Sequence, residues 1–331
     1  MRVLVTGATG FLGRAMALRL CADGVAVRAL VREGRDAAVL ERAGVELAPG
    51  DVREAASVRD AMRGCTHVIH LAAQKTATGL SAAAYHAVNV RGTAHVAEAA
   101  RAEGVTRLVY GSALGVHGFV TRGPLDESSP IRPNTPYRRT KWQGEVVLRE
   151  AHARHALPVV VARISSVVGA GARSWLPFAR SVEAGRLRLI GDGANHLDLV
   201  VVDDLIDGLR RCATVPGVEG RHYVLGSGES WTVRAFAAAV AGALGAPAPA
   251  PGLPAAPYRA LLRAASLLFR ITALHSEFAH DREVLVADKH ASSARARAEL
   301  GYEPTRPVAA AIDAMIAGFV ADGRLRAPRV A

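Results

Sequence analysis

Lysine is almost missing from this chain. Among 331 residues and 41 cationic side chains only Lys75, Lys141 and Lys289 are lysines; the rest are arginines. A face built for nucleic acid gathers its cations into blocks, whereas these arginines are scattered through an alanine-rich background. The formal charge of +11 therefore reads as a composition bias, and no nucleic acid partner is expected. Cysteine is equally scarce. Cys21, Cys65 and Cys212 lie far apart, odd in number and without a C-x-x-C pair, which argues against a disulfide framework or a zinc site and fits a reducing cytoplasm. His152, His155 and His196 have no metal-like spacing with an acid, so no metal is expected. Long apolar runs are missing too: the longest are interrupted by arginine and stay short of a membrane span. No charged n-region and apolar h-region precede the first strand, so neither a secretory signal nor an integral span is expected.

What the chain does have is a glycine turn at its start. Val3-Leu-Val-Thr-Gly-Ala-Thr-Gly-Phe-Leu-Gly13 begins with a short apolar strand and continues into a helix at Ala15 to Leu20. Gly7, Gly10 and Gly13 stand between them in G-x-x-G-x-x-G spacing. Gly7 allows the tight turn, Gly10 lets a pyrophosphate approach the backbone, and Gly13 lets helix and strand pack closely. The helix start supplies free N–H groups and the positive end of a dipole. Thr9, Phe11 and Leu12, inside the turn, are counted with the glycines as cofactor-binding residues.

Strand patterns then alternate with helical ones: Val25 to Val31, Val45 to Ala48, Thr66 to Ala73, Arg107 to Gly111 and Pro158 to Arg163. That order predicts an α/β fold, a doubly wound parallel sheet of the Rossmann type. At the end of the second strand an NAD site usually carries an acid for the ribose 2′-hydroxyl. Here Arg32 stands there, followed by Glu33. An arginine pairs with a 2′-phosphate and stacks on adenine, which favours NADP(H), while Glu33 keeps NAD(H) open. Later strand ends are counted with the cofactor site, where small residues let a cofactor lie across the strand or serve routine packing: Asp51 and Val52 after the third, Leu71, Ala72 and Ala73 after the fourth, Ile164 and Ser166 after the sixth.

Asn89 falls inside a helical stretch, where asparagine is mildly unfavourable; it is either a satisfied polar group or part of a proton relay. Tyr137 and Lys141 are four apart at the start of the next helix, hence on one face. An ammonium near a phenol lowers the phenol's pKa. Moving it from about 10 toward 7 takes on the order of 4 kcal/mol.

Together the TGATGFLG turn, HLAA, N-V-x-G-T and Y-x-x-x-K resemble the short-chain dehydrogenase/reductase superfamily in its extended branch. Leu189-Ile-Gly-Asp-Gly193, Asp198 to Asp204 and Leu300-Gly-Tyr-Glu-Pro304 are similar to substrate-domain landmarks of that branch. Within it the chain most resembles the 3β-hydroxysteroid dehydrogenase-like and 2-alkyl-3-ketoacid reductase-like members. The resemblance implies that Tyr137 is the general acid/base, that Lys141 holds the nicotinamide ribose, that Asn89 positions a relay water, and that the three glycines hold the pyrophosphate. It implies hydride transfer to or from a carbonyl/alcohol pair of a hydrophobic small molecule; the alternatives are a nucleotide-sugar epimerase or dehydratase with a retained cofactor, and a regulatory NADP(H)-binding protein. A homodimer is compatible with it.

Two departures stand out. Members of the family carry two hydroxyl residues after the fifth strand, the second catalytic; here the pair is Ser112-Ala113. Either Ser112 substitutes after a small shift, or the substrate is oriented without a serine. Sugar-nucleotide members carry an asparagine and an arginine where this chain has Ser166 and Leu197.

The expected division is a cofactor domain over 1–168, with returns around 198–225, a substrate domain over 169–197 and 226–325, and a flexible tail over 326–331. Thr232 is read as an N-cap of the helix Val233 to Leu244. Tyr258 to Leu274 reads as a helix with Leu261, Leu262, Ala265, Leu268 and Phe269 on one stripe. Core packing is the first reading of that stripe; a wall for a bulky substrate or a membrane-surface face is the other.

Overall fold

The computed structural model describes residues 1–75, 81–118, 124–249, 252, 254–272, 285 and 287–326, the side chains of 262, 265, 266 and 269–272 excepted. Seven parallel strands form the central sheet. They are β1 (Arg2–Thr6), β2 (Ala26–Val31), β3 (Glu46–Pro49), β4 (His67–His70), β5 (Arg107–Ala113), β6 (Val159–Ile164) and, later in the chain, β10 (His222–Leu225). Their order is β10-β6-β5-β4-β1-β2-β3. The order reverses next to β1, between β1 and β4, and such a reversal opens a crevice at the carboxyl ends of the strands.

Both sheet faces are covered, as parallel sheets require. On one face Val3, Val5, Ile69, Val109, Val160 and Ala162 pack with α1 (Phe11–Ala22) and α8 (Val202–Thr214). On the other, Leu4, Val68, Leu108, Tyr110, Val159 and Val161 pack with α3 (Ala55–Met62), α5 (Gly92–Ala102) and α6 (Pro136–His155). Successive strand residues alternate between these clusters, the period-2 signature of a strand. The expected Rossmann sheet is therefore present. The fourth strand ends at His70 instead of running on to Ala73: the Ala72 N–H turns to the Thr6 hydroxyl (3.2 Å), which carries the chain off the sheet.

A second apolar cluster joins α7 (Leu176–Glu183), α9 (Val233–Leu244) and the last helix (Val308–Ala321) around the short strands β7 (Ser166–Val168), β8 (His196–Leu197) and β9 (Leu199–Val201). Thr232 caps α9, accepting from the Ala235 N–H at 3.0 Å. α10 (Ala255–Thr272) leaves the two described residues of the apolar stripe exposed. Leu261 and Leu268 are 55% and 52% exposed, and contact with the body is made through Ala255 and Tyr258 against Ile190. A shared period puts residues on one face; it does not say that the face is covered. Leu262, Ala265 and Phe269, like Leu274 and the tail beyond 326, lie outside the described side chains or residues.

Candidate active site

The glycine turn is built to its steric limit. Gly7 has φ +73°, and a Cβ there would lie 2.7 Å from the Ala72 nitrogen. A Cβ on Gly13 would lie 2.2 Å from the Gly7 carbonyl oxygen. The turn closes through a Gly10 N–H to Gly7 carbonyl bond of 2.9 Å. Gly10 is the N-cap of α1 and no side chain caps this helix; its first turn holds no acid. The N–H groups of Phe11, Leu12 and Gly13 thus start a helix with a positive end that an anion can satisfy. Thr9, Phe11 and Leu12 are half-buried around it. This cradle fits a dinucleotide pyrophosphate.

Leu71 and Ala72 lie directly beneath Gly7, with Ala73 next to them in sequence. Arg32 is exposed just past β2. Asp51 is nearly buried, and its carboxylate accepts from Arg53 through the backbone N–H (2.9 Å), Nε (3.0 Å) and Nη2 (2.8 Å). Burial pushes Asp51 up, but the Arg53 contacts and the charge of Arg32 outweigh it and leave its pKa lowered. Val52 is buried, Ile164 half-buried at the end of β6, and Ser166 exposed at the start of β7. Apart from Ser166, these sit at or just past the carboxyl ends of strands of the central sheet.

Tyr137 and Lys141 occupy the first turns of α6. Thr135 caps that helix by accepting from the Arg138 N–H at 3.2 Å, and Pro136 opens it. Lys141 is 1% exposed, with its Nζ 4.0 Å from the centroid of the Tyr110 ring. α6 can approach this closely because Gly144 has no side chain: a Cβ there would lie 2.3 Å from the Tyr110 hydroxyl oxygen. Asn89 is fully buried in a π-helical turn, Ala87–Arg91. Its Oδ1 accepts from the Gln74 N–H (2.7 Å), and its Nδ2 donates to the Gln74 carbonyl (3.0 Å) and to the Thr140 hydroxyl (2.9 Å). Thr140 in turn donates to the Pro136 and Tyr137 carbonyls. Asn89 thereby ties the segment after β4 to the turn that carries the tyrosine. Single-turn π-bulges of this kind are frequent at functional sites.

The geometry bears on two expectations. The first concerns Tyr137. Burial pushes its phenol up to about 12, against a lowering influence from Arg138. Burial also brings Lys141 down to about 7, although the charge of Glu145 opposes the fall. Burial sets this direction, and the opposing influence comes from Arg138, with no lowering by Lys141, so the phenol stays protonated at neutral pH. The second concerns Ser112, which is 3% exposed and donates to Glu145 Oε1 at 2.6 Å. Successive strand residues face opposite sides, so a shift by one position would turn this side chain through the sheet. In this arrangement the Ser112 hydroxyl is committed to Glu145, on the α6 side of the sheet. Thr140, Tyr110 and Glu145 went unmarked in the sequence; Glu145 continues the spacing of Tyr137 and Lys141 by one more turn, a signal that was available.

Among the described residues, no group of His, Cys, Asp and Glu is placed to hold a metal ion, and no helix is long and apolar enough to cross a membrane.

Residues 3–226 match the NAD dependent epimerase/dehydratase family. The chain is 32% identical over 336 residues to sterol demethylase protein B of Methylococcus capsulatus, covering 95% of this chain and 97% of that one. It is 35% identical to a UDP-glucose 4-epimerase of Mycolicibacterium smegmatis, over 75% of this chain and 84% of the relative. It is 34% identical to a 2-alkyl-3-oxoalkanoate reductase of Stenotrophomonas maltophilia, over 75% and 77%. The crystal structure of gox2253 superimposes with a TM-score of 0.83 at 27% identity, covering 98% of this chain and 99% of that one. The chain belongs to the NAD dependent epimerase/dehydratase family and is an NAD(P)-dependent enzyme of the extended short-chain dehydrogenase/reductase type.

Proposed function

We propose that this enzyme is an NADP(H)-dependent reductase of a carbonyl group on a hydrophobic small molecule, with Tyr137 as general acid. The observation that carries the reading is the pairing on α6: a phenol that burial keeps protonated, one helical turn from a buried lysine. A protonated phenol gives its proton to the oxygen of a carbonyl under reduction as negative charge develops there, a contribution of roughly 10²–10⁴-fold. Lys141, when charged, stabilises the phenolate left behind and reaches toward the nicotinamide ribose. Asn89 fixes the loop after β4 and the first turn of α6 relative to each other. Gly7, Gly10 and Gly13 hold the pyrophosphate with Thr9, Phe11 and Leu12; Asp51, Val52, Leu71, Ala72, Ala73, Ile164 and Ser166 line the rest of the cofactor groove. Bound there, NADP(H) supplies the hydride.

Arg32 supports the phosphorylated cofactor, since an exposed guanidinium at the end of β2 suits a 2′-phosphate better than a bare hydroxyl. Ser166 and Leu197, where sugar-nucleotide members have asparagine and arginine, favour a substrate other than a nucleotide sugar. The similarity to a 2-alkyl-3-oxoalkanoate reductase and to sterol demethylase protein B supports a hydrophobic one, beside an equal similarity to a UDP-glucose 4-epimerase. Cys21, Cys65 and Cys212 are free thiols, which suits the cytoplasm.

The test is loss of nicotinamide absorbance with NADPH or NADH against hydrophobic ketones, β-keto acids and nucleotide sugars. Consumption of NADPH with ketones or keto acids is expected. Conversion of a nucleotide sugar without net loss of absorbance would replace this reading with an epimerase.

A further inference from the structure

Beneath the Tyr137–Lys141 pair lies a buried ionic cluster that proton donation does not use. Glu145 follows Lys141 by one turn of α6, and its side chain is fully buried. β5 and β6 bring its partners together. Their register sets Ser112 beside Arg163, and neighbours in a parallel pair share a face, so both side chains meet α6. Arg163 donates to Glu145 through Nε (3.2 Å to Oε1) and Nη2 (2.9 Å to Oε2). Ser112 donates to Oε1 at 2.6 Å, and Arg149 to Oε2 at 3.2 Å. A carboxylate has about four lone-pair sites, and four hydrogen bonds fill them here. So clamped, the Glu145 carboxylate is fixed in position.

Lys141 has the opposite problem. An ammonium taken out of water tends to lose its proton unless an anion is near. Among the described residues, the titratable and charged groups around it are Tyr137 and Glu145 on its own helix, Tyr110 on β5 and His70 on β4. His70 is buried and neutral, and Tyr110 is held protonated by burial. Glu145 alone in this set offers an anion. Around Glu145 itself stand Lys141, Arg149, Arg163 and Tyr110, with His117 and His222 within reach of its charge.

We propose that Glu145 is a positioning residue of the acid/base pair: a carboxylate, clamped by Arg163, Ser112 and Arg149, that favours the charged form of the buried Lys141 side chain. This rests on reading Tyr137 and Lys141 as that pair. It also gives Ser112 a task. Its hydroxyl holds the carboxylate that favours the charged lysine.

The scarcity of lysine makes the test direct. Protein labelled with ¹³C at lysine Cε gives three signals, assigned with Lys75→Arg and Lys289→Arg, and the Lys141 signal is titrated in the cofactor-free protein. Unit charges one helical turn apart at an effective dielectric of about 20 correspond to a shift of roughly one to two pH units. Glu145→Gln is expected to move the Lys141 midpoint down by at least one unit, and Glu145→Asp, which withdraws the charge by one methylene, by a smaller amount. A Glu145→Gln midpoint within 0.3 unit of wild type overturns the proposal. Should Glu145→Gln lose its folded spectrum, Glu145→Asp decides: a fall in midpoint supports the proposal and an unchanged midpoint overturns it. Turnover does not enter this readout, so an active Tyr137→Phe protein would refute the catalytic reading while leaving the lysine midpoint where it is.

Discussion

Replacing Gly13 by alanine separates the cofactor cradle from the rest of the fold. The new Cβ would sit 2.2 Å from the Gly7 carbonyl oxygen, 2.5 Å from its carbon and 2.9 Å from Ala8 Cα. All three are backbone atoms, so no flexible side chain can yield. Roughly 1 Å of separation must open before these contacts leave the repulsive range. The turn over 7–10 and the first turn of α1 must therefore move apart. The N–H groups of that first turn are the ones offered to the pyrophosphate. A movement of this size breaks a hydrogen bond that needs about 2.9 Å. Losing two bonds to a charged group, at about 1.5–3 kcal/mol each, amounts to about 3–6 kcal/mol, or about 10²- to 10⁴-fold in cofactor affinity. Stability should change less. Overpacking costs about 1–3 kcal/mol, and alanine returns up to about 1 kcal/mol of helix propensity. The assay is NADPH titration by fluorescence beside a denaturant melt, with Gly242→Ala and Gly318→Ala as controls. Neither control Cβ meets anything within 4 Å, so both should bind as wild type. Gly13→Ala protein that binds NADPH within threefold of wild type would refute the cradle.

Arg32→Ala should narrow the preference for NADPH over NADH by about 1.5–3 kcal/mol, the range for a hydrogen bond to a charged group; equal binding of both cofactors by wild-type protein would remove Arg32 from the site. Ser112→Ala removes one hydrogen bond from a buried carboxylate, so it should cost about 1.5–3 kcal/mol of stability while turnover falls less than tenfold; a thousandfold fall at unchanged stability would return Ser112 to the chemistry. His70 is fully buried, bonded to the hydroxyls of Thr6 (2.6 Å) and Thr93 (3.0 Å), and burial, aided by the charge of Lys141, brings it down to about 3. Its folded pKa lies below its unfolded one, so the stability it contributes is present above about 6.5 and is lost as pH falls toward 3. Between pH 7 and pH 5 wild type should lose on the order of 2 kcal/mol more than His70→Asn, and parallel losses in urea melts would contradict the assignment.

The sheet and its cradle were legible because both are local. Strand period, helix period and three glycines at fixed spacing each constrain a short stretch, and their order then selects the doubly wound arrangement. Tyr137 and Lys141 were legible for the same reason, since four residues on a helix is one turn. What the sequence hid depends on burial and on pairing across the sheet. The direction of the Tyr137 shift reverses because desolvation is a property of the packed site, and spacing does not report it. Ser112 meets Glu145 and Arg163 through the register of β5 and β6, which no local pattern gives. Asn89 was marked as either a satisfied polar group or a relay residue; the structure gives its side chain three hydrogen bonds, with its π-turn invisible to a 3.6-residue period. The apolar stripe of α10 was seen, but the exposure of Leu261 and Leu268 was not.

The most direct measurement is turnover by Tyr137→Phe on one accepted ketone, by stopped flow with NADPH. The substitution removes one oxygen and keeps the ring, so the half-buried site stays filled. The account predicts that kcat falls by at least about a hundredfold, the range for loss of a general acid, while NADPH affinity stays within about twofold. Near-wild-type turnover would contradict it and would assign the proton to water or to the substrate itself.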